Sequence, residues 1–227
     1  MVVLTLRGFT RLKVLIHACN QRLWYVTKYL IPSLKAQGID DVDIFLDKDH
    51  LGCVFACMKC FKELQGDGHT WHLQDDVVIA DNFKELAESY DWFNGIVCGI
   101  RTRYDEGRPD GDGTPMVDKG AMWSSFPCIR IPDVLARGCA FDFERDPFYD
   151  KWRKKNRGDD MIFRKYLRRC VPDAPYINAI PNLVDHVDYL LGWSTSSVKA
   201  QRKFPSRALH FDSSVADRLS VKLCNVE

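Results

Sequence analysis

The feature that most constrains the fold is an alternation. Through the first hundred residues, short apolar runs take turns with longer amphipathic ones, the pattern of a parallel sheet wrapped by helices. "KVLIHA" (13–18) predicts a buried strand, and "LWYVTKYLIPSLKAQG" (23–38) a helix stopped by Gly38. "DVDIFLD" (41–47) predicts a second strand and "LGCVFACMKCFKELQG" (51–66) a second helix, stopped again at glycine. "HTWHLQDD" (69–76), "NFKELAESY" (82–90) and "FNGIVCGI" (93–100) continue as strand, helix and strand. The first half is therefore β-α-β-α-β-α-β. The expected class is α/β, a Rossmann-like, mostly parallel sheet flanked by helices.

The second half is less regular. Residues 101–119 are rich in glycine, proline and both charges, and read as a long surface loop of the kind that often serves function. An apolar, aromatic stretch (120–138) follows, then helical stretches at 147–156 and 159–169, an apolar run with turns (174–192) and a polar, basic tail. At 227 residues, one domain is the expectation, with a ligand-binding half (1–100), a more irregular half (101–195) and a tail (196–227).

Charge excludes little globally, because 32 Lys and Arg nearly balance 31 Asp and Glu. The first residues lack a long apolar core with a small-residue cleavage site, which implies a cytoplasmic setting and reduced thiols for the nine cysteines. Cys57 and Cys60 have C-x-x-C spacing, but no matching ligand pair lies downstream, so Cys53, Cys57 and Cys60 are expected as small buried side chains of a helix. No apolar run reaches the roughly 20 residues of a membrane span.

Ligands of open parallel sheets bind at the carboxyl ends of the strands. Three such ends here are polar: "HACNQR" (17–22), "DKDH" (47–50) and "QDD" (74–76). Adjacent carboxylates such as Asp75 and Asp76 repel unless a cation or donors offset them, so Mg²⁺ or Mn²⁺ carrying phosphate oxygens is one reading. The other is that the acids merely cap the following turn.

"LQDDVVIADNF" resembles the D-x-D type motif of GT-A fold nucleotide-sugar glycosyltransferases, small stand-alone bacterial or phage-like members included. Three further segments resemble that family in the same order: "NQRLWYVTKYLIPSL" (20–34), "RGDDMIFRKYL" (157–167) and "PNLVDHVDYLLGWST" (181–195). The likeness spans about residues 13–195. It implies Asp76 and His186 as ligands of Mn²⁺ or Mg²⁺, with Gln74 and Asp75 toward the ribose and pyrophosphate of a nucleotide diphosphate sugar. Gln74 departs from the acid usual there, though an amide can donate and accept hydrogen bonds. Asn20 and Arg22 belong to the first segment, and a guanidinium fork suits phosphate or a uracil carbonyl. Asp47 is a candidate for the base or ribose.

Asp159 and Asp160 open the third segment, where the family supplies the general base of an inverting transfer. Asp160 is the first choice because it holds the motif's final position. Two acids at a helix start are also simply good N-terminal residues.

For the acceptor, residues 151–169 carry nine Lys or Arg against two acids, and 199–207 add four more. A basic surface beside the base suggests a polyanionic acceptor such as DNA with hydroxymethylated bases; a solvated helix face is the plainer reading. Trp123, Phe126, Trp152 and Trp193 are candidates for stacking on a sugar or base. Three alternatives remain: a transferase acting on cell-surface glycans, a nucleotidyltransferase, for which "HACNQRLW" lacks the expected glycine-rich loop, and a non-catalytic nucleic-acid-binding module.

Overall fold

A computed structural model describes residues 12–100, 127–155, 159–179, 181–187, 190–191 and 213–224. The loop at 101–119, Trp123, Phe126, Trp193 and the basic run 199–207 lie outside the described residues.

The first strand, β1 (Val14–Cys19), runs through a 3-10 turn (Asn20–Arg22) into α1 (Leu23–Tyr25), a π turn (Val26–Leu30) and α2 (Ile31–Ala36). The wide turn has a local cause. Pro32 offers no N–H to the helix ladder, and the amide of Ile31 donates back to the Val26 carbonyl, five residues away. Then come β2 (Val42–Asp47), α3 (Cys53–Glu63), β3 (His69–Gln74), β4 (Val77–Ile79), α4 (Phe83–Glu88) and β5 (Ile96–Cys98). The second half contributes β6 (Cys128–Pro132), α5 (Asp133–Arg145), a 3-10 turn (Pro147–Tyr149), α6 (Asp150–Lys155), α7 (Asp159–Cys170), β7 (Tyr176–Asn178), β8 (Val184–His186) and α8 (Ser213–Cys224).

Six strands form one sheet in the order β2-β1-β3-β6-β5-β7. β6 runs antiparallel to both its neighbours, and every other pairing in the sheet is parallel. Gly38 and Gly66, the expected helix stops, have φ of +73° and +83°, a region that side chains disfavour. Three elements differ from the sequence reading. "VVI" is a separate strand, β4, paired with β8 in a small second sheet; β6 is antiparallel; and α5 fills a stretch to which no helix was assigned.

The alternation of side chains along the strands sorts the core into two layers. Val14, Ile16, Trp71 and Leu73 join α1, α2, α4 and α8 on one face. Leu15 and Ile129 join α3, α5, α6 and α7 on the other. His17 and His72 fall on that second face by the same period of two, beside Phe61 of α3.

Candidate active site

A cavity opens where β1, β2 and β3 end. Arg22, Asp47, Gln74, Asp75 and Asp159 all line it, so residues 137 positions apart in sequence converge there. Its centre of charge is the turn from β3 to β4. Arg22 is buried, and its guanidinium donates through one nitrogen to Asp75 Oδ1 at 2.7 Å and through the other to Asp76 Oδ2. The backbone amide of Cys19 donates to Asp75 Oδ2 at 2.7 Å. On the far side, His186 Nε2 stands 3.1 Å from Asp76 Oδ1, brought there because β8 pairs with β4 and the Val187 amide donates to the Asp76 carbonyl.

This arrangement separates the two acids. Burial pushes the Asp75 carboxyl up to about 6; Arg22 pulls against that and the charge of Asp76 adds to it. Burial also opposes ionisation of Asp76, but His186 and Arg22 outweigh it and hold the carboxyl well below the usual range. Asp76 is thus the more acidic member of the pair. With one guanidinium between two carboxylates, the cluster keeps an uncompensated negative charge when both are ionised and His186 is neutral. The Asp76–His186 separation also fits a divalent ion, since neighbouring ligands at octahedral bond lengths of 2.0–2.1 Å lie about 2.9 Å apart.

Asp159 lies across the cavity, at the first turn of α7. Gln74 Nε2 donates to its Oδ2 at 3.4 Å, and the Asp160 amide donates to its Oδ1 at 2.9 Å. Burial pushes its carboxyl up to about 7, with the charge of Asp160 adding to the effect. Asp160 is also raised by burial, but its Oδ1 accepts from the Met161 amide at 2.7 Å, as a helix-start residue does. Of the two acids, Asp159 is the one that lines the cavity.

The other sequence candidates fall variously. Asp47 lines the cavity, yet both its oxygens accept from the Leu51 and Gly52 amides, at 2.9 and 3.1 Å, which holds the turn into α3. Arg22 is held by the two acids, so it positions carboxylates as much as it faces a ligand. Asn20 is exposed in the turn after β1. Trp152 is 6% exposed and belongs to the core beneath α6, so it offers no face for stacking. Sequence reasoning passed over His17, Cys19 and Cys53, which also line the cavity. The position of His17 in the polar end "HACNQR" was the available signal.

The basic helices are partly self-satisfied. Arg153 and Arg169 pair with Asp150 and Asp146, at 2.5 and 2.9 Å. Arg145 and Arg169 also stack on the exposed Phe141 and Phe148, at 3.9 and 4.6 Å from the ring centres. Lys154, Arg168 and Arg169 remain exposed.

No family model and no curated protein matches the chain. Among the solved structures it is similar to are nucleotidyl- and glycosyltransferases. The galactosyltransferase LgtC, in complex with donor and acceptor sugar analogues, is 11% identical at a TM-score of 0.47, over 93% of this chain and 95% of that one. The inositol-1-phosphate CTP transferase of T. maritima is 11% identical at 0.43, over 75% and 86%. An S. aureus TarS structure is 11% identical at 0.47, over 82% and 63%.

Proposed function

We propose that the chain is a metal-dependent, inverting glycosyltransferase that moves a sugar from a nucleotide diphosphate sugar to a hydroxyl acceptor. One observation carries this reading: the Arg22-linked pair of Asp75, which lines the cavity at the strand ends, and its neighbour Asp76, held strongly acidic, stands across from the raised Asp159 on the same cavity. The first suits a cation and diphosphate, the second a proton acceptor. Asp76 and His186 would hold Mn²⁺ or Mg²⁺, whose charge, when bound, offsets that of the departing diphosphate. Arg22 keeps the two carboxylates apart and aimed. Asp75 and Gln74 face the ribose and pyrophosphate side. Asp159, ionised above about pH 7, takes the proton from the acceptor hydroxyl, and Gln74 orients its carboxylate.

For the acceptor, the exposed Lys154, Arg168 and Arg169 support a polyanion such as hydroxymethylated DNA, with phosphates as the contacts. The test is a panel of nucleotide sugars with Mn²⁺, scored for hydrolysis and for transfer to modified DNA, glycans and small alcohols. Mn²⁺-dependent hydrolysis of one donor is expected. Hydrolysis of none, with the folded protein at high concentration, contradicts the reading. Binding to DNA that is unaffected by Asp76→Ala and Asp159→Asn, with no turnover of any donor, would instead favour a non-catalytic nucleic-acid module.

A further inference from the structure

Behind the cavity, three ligating side chains meet inside an otherwise apolar layer. His17 on β1 and His72 on β3 are diagonal neighbours on one face of the sheet, and Cys60 on α3 sits over them. His17 Nε2 lies 2.8 Å from His72 Nδ1 and 3.5 Å from Cys60 Sγ, and the three atoms fall within 4.8 Å of one another. His72 is 1% exposed, and its Nε2 has no hydrogen-bond partner. No carboxylate belongs to the group.

From this juxtaposition we infer that His17, His72 and Cys60 form a binding site for a soft divalent cation, Zn²⁺ first among them, distinct from the Asp76–His186 pair. The donor set is the argument's core: two imidazoles and a thiol suit Zn²⁺, whereas carboxylate-rich sites suit Mg²⁺ and Mn²⁺. The spacing agrees. Tetrahedral Zn²⁺ with Zn–N of 2.0–2.1 Å and Zn–S of 2.3 Å sets ligand atoms about 3.3 Å apart for two nitrogens and about 3.6 Å for nitrogen and sulfur. The His17–Cys60 pair is already at that distance, the His72–Cys60 pair lies within 4.8 Å, and the two imidazoles need to part by about 0.5 Å, within the reach of small ring rotations. The protonation state is favourable at the rings, because burial holds His17 down to about 4 and His72 well below its ordinary value, leaving both neutral as ligands must be. The thiol is the opposing term, since burial raises Cys60 and the ion must displace its proton.

An entry path exists through His17, which lines the cavity. The C-x-x-C spacing in α3 therefore marks one ligand only. Cys60 finds its partners on two strands, 43 residues upstream and 12 downstream, so the site exists only in the folded chain.

The experiment uses the full chain, stripped with a chelator and titrated with Co²⁺, followed by Zn²⁺ as competitor. One equivalent of Co²⁺ is expected to give a thiolate-to-cobalt charge-transfer band in the near ultraviolet, bleached by Zn²⁺, and Zn²⁺ is expected to raise Tm. Cys60→Ser should abolish the band, and His17→Gln, at the edge of the layer, should weaken Zn²⁺ binding at least about tenfold. Cys170→Ser should leave both readouts unchanged, and Asp76→Ala should leave the charge-transfer band unchanged. The proposal is overturned by a folded wild-type chain that gives no band, by a band that survives Cys60→Ser, or by one that disappears in Cys170→Ser, which would mark an adventitious surface thiol. Loss of the band in Asp76→Ala would also overturn it, because the two sites would then be one.

Discussion

Two neighbouring clusters on the same pair of strands handle buried polarity in opposite ways. Asp75 and Asp76, just past the end of β3, are kept charged or half-charged by Arg22, His186 and the Cys19 amide. His17 and His72, at most four residues back along β1 and β3, have no charged partner in their cluster, and burial neutralises them. The contrast follows from position. Beyond the strand ends, loop amides and a neighbouring strand can deliver donors and a counter-charge. Inside the sheet, the backbone is already paired and the surrounding side chains are apolar, so loss of charge is the cheaper solution.

The harshest way to break this contrast is Arg22→Ala. It leaves two buried acids facing each other, and a loss of about 3–5 kcal/mol in unfolding free energy at pH 7 is expected from denaturant titration. Part of that loss should return toward pH 5, where Asp75 takes a proton. Next comes Asp159→Asn, which should lower kcat by about 10²–10⁴-fold with the donor KM little changed, in steady-state assays of whichever donor is hydrolysed. In the wild type the rate should rise with pH through about 7, because the base must be ionised.

The same change sharpens the comparison through stability. Asp159, raised in the folded state, binds its proton more tightly than in the unfolded chain, so its contribution falls as pH rises from about 4 to about 7. His17 and His72, lowered in the folded state, act in the reverse direction, and their contribution is lost as pH falls below about 6.5. The opposed slopes partly cancel between pH 4 and 6.5. Asp159→Asn should therefore steepen the climb of stability with pH, and His17→Phe should flatten it, each changing the slope by up to about 1 kcal/mol per pH unit in metal-free protein. The smallest expected effect is Tyr25→Phe. It removes the 2.8 Å hydrogen bond donated to the Val77 carbonyl, which anchors β4 to α1, and should cost about 1 kcal/mol.

Much of the fold was legible because its first half is repetitive. Apolar runs with glycine stops at 38 and 66 define β1, β2, β3 and the helices between them, whose order needs no long-range knowledge. β6 was not legible as antiparallel, since a strand of five buried residues carries no sign of its direction. β4 was hidden for a related reason: three apolar residues after an acidic pair become a strand only when β8 arrives more than a hundred residues later.

The candidate site divides in the same way. Asp75, Asp76 and Gln74 were visible at a strand end. Which of Asp159 and Asp160 α7 turns toward the cavity is a matter of helix orientation, which a motif read in one dimension does not contain. Arg22 was visible as a cation but not as the wedge between two carboxylates. The C-x-x-C pair pointed downstream for partners, whereas the imidazoles near Cys60 come from strands on either side of it in sequence.

The central claim is that Asp76 anchors a metal-bound nucleotide diphosphate. Calorimetric titration of a set of nucleoside diphosphates into the chain, with and without Mn²⁺, tests it most directly in the wild type and in Asp76→Ala. The account predicts Mn²⁺-dependent binding of at least one nucleotide, weakened at least about tenfold in the variant. Binding of equal strength in Asp76→Ala, or binding indifferent to Mn²⁺, would contradict it.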